Sequence, residues 1–67
     1  MYISEVTIVE GGISTPYSSK CPPNVQPREY LRELAIMLVS PGLDVKLKTT
    51  YGISASRVTS ATLTFAT

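Results

Sequence analysis

The protein has 67 residues, a formal net charge of +1, a single cysteine and no histidine. The near-neutral charge argues against a strong nucleic-acid or membrane-surface binder, and the length allows one domain, residues 1–67. A core this small usually needs a further source of stability. Cys21 alone cannot close a disulfide within the chain, and no histidine or cysteine cluster is present to bind zinc. Association with a partner is therefore the remaining source of stability.

The first predicted element is a strand at residues 2–9, which are rich in β-branched and aromatic side chains. Val6 and Ile8 lie on one face of this strand, whereas Ile3 and Val9 lie on the other. Apolar side chains on both faces indicate a central strand, or a strand with one face held against a partner.

A proline-rich segment follows at residues 14–27, which hold four of the five prolines and the only cysteine. Pro22 and Pro23 favour an extended, preorganised path. We interpret the segment as an arm that carries Tyr17 and Val25 onto a neighbouring subunit at low entropic cost.

A helix is predicted to begin at Pro27, which is well tolerated in a first helical turn, and to end at residues 40–42. Its core-facing stripe has helical spacing and comprises Leu31, Leu34, Ala35 and Leu38. Ile36 lies on the opposite face and Val39 flanks it. Apolar side chains in these positions indicate contact with a partner.

Two further strands are predicted, at residues 43–51 and 57–66. The first alternates apolar and polar side chains, with Lys46 and Lys48 on its polar face. The second is rich in threonine and places three side chains inward, namely Ala61, Leu63 and Phe65.

The predicted order is therefore β-α-β-β, an α+β fold in which one helix packs on a three-stranded mixed sheet. One helix covers one face of such a sheet and leaves its edges open. Open edges attract pairing with another chain, so a homo-oligomer or a place in a larger protein assembly is expected.

No constellation of residues predicts catalysis, a cofactor or a metal site. Cys21 lacks a histidine base, so it is interpreted as a packed thiol, with an attached prosthetic group or a mixed disulfide as alternatives. Residues 18–20 lack the spacing of a Ser-Lys pair, and Gly11-Gly12 begins no phosphate-binding helix. The protein is predicted not to be an enzyme.

The leading hypothesis is a non-catalytic binding or structural subunit that uses an open sheet edge, the Ile36/Val39 patch and the proline-rich arm. The alternative is a nucleic-acid-binding accessory protein that uses Lys46, Lys48 and Arg57, since lysines two apart on a strand are spaced by about 6.6 Å. The longest apolar run, residues 34–39, is far shorter than the ~20 residues of a membrane span. With no secretory signal evident, a cytoplasmic location is expected.

Overall fold

The computed structural model describes all 67 residues. The regular elements are β1 (Tyr2–Glu10), β2 (Ile13–Pro16), α1 (Pro27–Val39), α2 (Asp44–Tyr51) and β3 (Val58–Ala66), with single 3₁₀ turns at Tyr17–Lys20 and Ala55–Arg57. The strands form one antiparallel sheet in the order β2-β1-β3. The α+β class is confirmed, but the chain order is β-β-α-α-β rather than β-α-β-β, and the sheet is not mixed.

β1 and β2 form a hairpin that the sequence-based prediction missed, because residues 14–27 were interpreted as an arm. Glu10 pairs with Ile13, which leaves Gly11 and Gly12 as a two-residue turn. Their φ values are +58° and +81°, and two successive positive φ angles are typical of the type I′ turn that joins tightly paired strands. The hairpin places β1 in the centre of the sheet, as its two apolar faces predicted.

The core lies between one face of β1 and the two helices. Its buried side chains are Val6, Ile8, Tyr17, Leu31, Leu34, Met37, Leu47 and Ile53. These are the only 8 buried residues of the 67, and 8 large hydrophobic side chains are exposed. A core this small leaves a narrow margin of stability.

Residues 43–51 form α2 and not a strand, which corrects the prediction. Leu43, Leu47 and Tyr51 share a strand face, but their spacing of four also places them on one helix face. Leu47 is only 2% exposed in the core. Gly52, with φ of +73°, ends the helix in the left-handed conformation and donates its N–H to the carbonyl of Lys48. Neither helix has the length and hydropathy needed to cross a membrane.

Tyr51 joins α2 to α1 through Tyr30. Their ring centroids are 4.9 Å apart, and the Tyr51 hydroxyl donates a hydrogen bond to the Tyr30 carbonyl at 2.8 Å. Burial of the phenol, with smaller contributions from the charges of Tyr30, Glu33 and Cys21, raises the pKa of Tyr51 to about 12. The neutral phenol is therefore part of the folded structure.

We expect the free energy of unfolding to fall as the pH rises from about 10 to about 12. The folded pKa of Tyr51 exceeds its unfolded value of about 10, so the unfolded chain releases this proton first, and the contribution is fully present only below pH ~10. Urea unfolding at a series of alkaline pH values measures the fall. The Tyr51→Phe variant should show a shallower fall, and an unchanged slope would contradict this role of the phenol.

Candidate functional site

β3 is an outer strand whose second side is free. It pairs with β1 along one side, and no strand pairs with the other. Residues 59–65 are all exposed, and no residue of the strand is charged. A row of unpaired N–H and C=O groups without charge or proline is a template for another strand.

The opposite edge of the sheet, β2, is protected. It is four residues long and ends at Pro16, which has no N–H to donate. The chain then turns, and the Ser18 N–H donates to the Glu5 carboxylate at 2.8 Å. Burial acts to raise the pKa of Glu5, but the hydrogen bonds that its carboxylate accepts, chiefly from Ser18, outweigh it and lower the pKa. Of the two edges, only β3 is long, uncharged and open.

The face of β3 that points towards α1 is apolar and incompletely covered. Leu63 lies opposite Val6, and Ala61 lies opposite Ile8; since cross-strand partners share a face, both lie on the core side. Val6 and Ile8 are fully buried, whereas Leu63 is 37% exposed and Phe65 is 55% exposed. The helical layer thus covers β1 but not β3, and a groove remains between α1 and β3.

The other wall of the groove is a stripe on α1. Helical spacing places Arg28, Arg32, Ala35 and Val39 on one side of the helix. Arg28 and Arg32 line a cavity of about 580 Å³ together with Phe65 and the first residues of β1, so the start of this stripe faces this end of the sheet. Val39, at the far end of the stripe, is 80% exposed. The stripe therefore carries two arginines near the start of α1, where Glu29 also lines the cavity, and an exposed apolar side chain near its end.

The arginines of the groove are held weakly. The Arg28 guanidinium lies 3.6 Å from the centroid of the Tyr2 ring. Arg32 lies 3.8 Å from a carboxylate oxygen of Glu29 and 4.0 Å from one of Glu33, and all three side chains are exposed. Exposed ion pairs of this kind contribute about 0–1 kcal/mol, so they constrain Arg32 only weakly.

The free edge of β3 and the adjoining groove together form an exposed surface, which we call the β3 surface; its apolar side chains are Leu63, Phe65 and Val39. No known protein family, curated protein or solved structure gives a significant match to this chain.

The four side chains predicted to contact partners do not lie together. Tyr17 is buried in the core of its own chain at 8% exposure, and residues 14–27 are not an arm, because they begin in β2 and continue into a 3₁₀ turn. Val25 lies on the α2 side of α1, where it shares a cavity with residues of both helices. Ile36 and Val39 are exposed, as predicted, and by helical spacing Val39 lies on the same side of α1 as Arg28 and Arg32.

The predicted basic strand face does not exist, because Lys46 and Lys48 lie on α2. Two residues apart on a helix, they point about 160° apart and line different cavities. Arg57 lies elsewhere, beside the turn at Gly11, whose N–H donates to the Arg57 carbonyl at 3.4 Å. The three residues do not share a surface, and nucleic-acid binding by them remains a prediction.

Cys21 is half-buried in the connection before α1. Its Sγ lies 3.2 Å from the Val25 carbonyl and 3.5 Å from the Pro22 carbonyl, each of which accepts its S–H. These are the contacts expected of a thiol packed in a loop.

The exposure of Leu63 and Phe65 was missed by the sequence-based prediction, which placed both inward. Both side chains do lie on the predicted face of the strand, but that face is buried only where a helix covers it. One sequence signal was available: residues 58–67 contain no charged side chain, although charged side chains are the usual protection of an edge strand.

Proposed function

We propose that this protein is a non-catalytic subunit of a protein assembly, which it enters by pairing the free edge of β3 with a strand of another chain. The observation that carries the proposal is the contrast between the two edges of the sheet. β2 is four residues long and ends in proline, whereas β3 is nine residues long, contains neither charge nor proline, and has no strand paired with its outer side.

Pairing of a second strand with β3 buries apolar side chains of this chain and also gives its free backbone N–H and C=O groups hydrogen-bond partners. Leu63 and Phe65 lie on the groove side of the strand and are 37% and 55% exposed. Complete burial of such a side chain contributes about 1.5–3 kcal/mol, and here a fraction of that is gained. For a chain with eight buried residues, a bound partner adds a substantial part of the total stability. We place this assembly in the cytoplasm.

The test compares two lysine substitutions on opposite edges. Thr62→Lys puts a charge in the middle of β3, and Ser14→Lys puts the same charge on β2; both positions are exposed. We expect sedimentation at micromolar concentration to show wild-type oligomers, or affinity capture to show a bound protein. We expect Thr62→Lys to weaken either association at least tenfold, while Ser14→Lys retains it.

Circular dichroism of both variants establishes that each is folded. The proposal would be overturned if the wild-type protein stays monomeric and also captures no protein whose binding is lost in Thr62→Lys. Equal weakening by Ser14→Lys would also overturn it, because the effect would then reflect charge and not the β3 edge.

A further inference from the structure

Resting on the proposed function, we infer that the strand added to β3 is the β3 strand of a second copy of this chain. The two strands run antiparallel about a two-fold axis at Thr62 and make one six-stranded sheet. This arrangement names the partner, the register and the faces that meet.

The side chains of β3 are complementary to themselves in this register. A two-fold axis at Thr62 pairs residue 62 with its own copy, Ala61 with Leu63, and Ser60 with Thr64. Ala61 and Leu63 lie on the groove side, so a small side chain meets a large one, and on the other face Ser60, Thr62 and Thr64 all carry hydroxyl groups. Because the strand has no charge, no like charges oppose each other across the axis.

The backbone of β3 is regular on both sides of this axis. The pairing of β1 with β3 has register shifts between Ile3 and Glu5 and between Val9 and Glu10. Between them, residues 60–64 of β3 pair without interruption, and Thr62 is the middle residue of that stretch. A straight five-residue segment centred on Thr62 is the part of the edge best suited to a second strand.

The second copy also fills the groove. If each α1 lies over its own β1, pairing of the two β3 strands separates the helices by three strand spacings, roughly 14 Å. Packed helices lie 8–10 Å apart, so the remaining space suits side chains between them. The side chains available on both copies are those of the β3 surface, namely Leu63, Phe65 and Val39.

The charges of α1 match this antiparallel arrangement. Arg28 and Arg32 lie towards the start of α1, and the last turn of the helix has no basic residue. A two-fold axis brings the start of one helix beside the end of its partner. The arginines of each copy then face the partial negative charge of the other helix's carbonyl end, where that chain has no basic side chain of its own.

Cysteine cross-linking tests the register directly, in a Cys21→Ser background. We expect Thr62→Cys to form a disulfide-linked dimer under mild oxidation at least tenfold faster than Ser60→Cys. Two copies of residue 60 lie about 13 Å apart along the paired strands, beyond the reach of a disulfide. An equimolar mixture of Ser60→Cys and Thr64→Cys chains should cross-link, although neither chain does so alone.

If neither Thr62→Cys nor the mixture cross-links faster than Ser60→Cys, the inference is overturned. Faster cross-linking of Ser60→Cys alone would show another register and also overturn it. Edge-dependent association in the lysine variants, combined with either result, would leave the proposed function standing with a different partner or register. The two proposals therefore fail separately.

Discussion

Replacing Leu34 with alanine is expected to lower the free energy of unfolding by about 2–5 kcal/mol. Leu34 is fully buried in the centre of α1, where it is one of eight core side chains. Domains are stable by about 0.05–0.15 kcal/mol per residue, which is about 3–10 kcal/mol for this chain, so the loss is a large part of its stability. Urea unfolding followed by circular dichroism, at one fixed protein concentration, measures it.

Val39→Ala is the matched control, since it shortens an apolar side chain of the same helix at a position that is 80% exposed. At dilutions where the chain is monomeric, its free energy of unfolding should change by no more than about 0.5 kcal/mol. At concentrations where β3 is paired, Val39→Ala should weaken association. A monomer destabilised equally by both substitutions would contradict the described core.

Gly11→Ala and Gly12→Ala are both expected to destabilise the fold. Both positions have positive φ, which costs a residue with a side chain about 1–2 kcal/mol. At Gly11 a Cβ atom would also meet the guanidinium of Arg57, but this is the end of a flexible, exposed side chain and can move aside at little cost. Thermal unfolding of the two variants compares the turn positions directly.

An Arg57→Ala background separates the two contributions at Gly11. Without the guanidinium, the cost of Gly11→Ala should stay at about 1–2 kcal/mol, because the backbone conformation accounts for most of it. A cost that falls well below this value in the Arg57→Ala background would show that the guanidinium is its main cause.

The proline-rich segment, residues 14–27, was wrongly interpreted as an arm. Prolines between residues 14 and 27 did indicate a chain that is neither a long strand nor a helix until Pro27. Gly11-Gly12 was an available hairpin signal, since two glycines between strand-forming residues favour a type I′ turn. Tyr17 lies in the core because that hairpin returns the chain along β1.

The sequence pattern of residues 43–51 fits both a strand and a helix. Leu43, Leu47 and Tyr51 satisfy both a two-residue and a four-residue period. The helix forms where Leu47 reaches the core and the Tyr51 hydroxyl reaches the Tyr30 carbonyl, 21 positions away in sequence. Those contacts depend on the position of α1, which no window of nine residues contains.

β1, α1 and β3 were predictable from sequence because each expresses its structure locally, in β-branched runs or in apolar spacing that begins at Pro27. The order of the strands, the conformation of α2 and the open edge were settled by pairing between distant residues. Val6 meets Leu63, and α1 covers the first more fully than the second. The β3 surface exists because one 13-residue helix lies over β1 and leaves the outer strand beyond it uncovered.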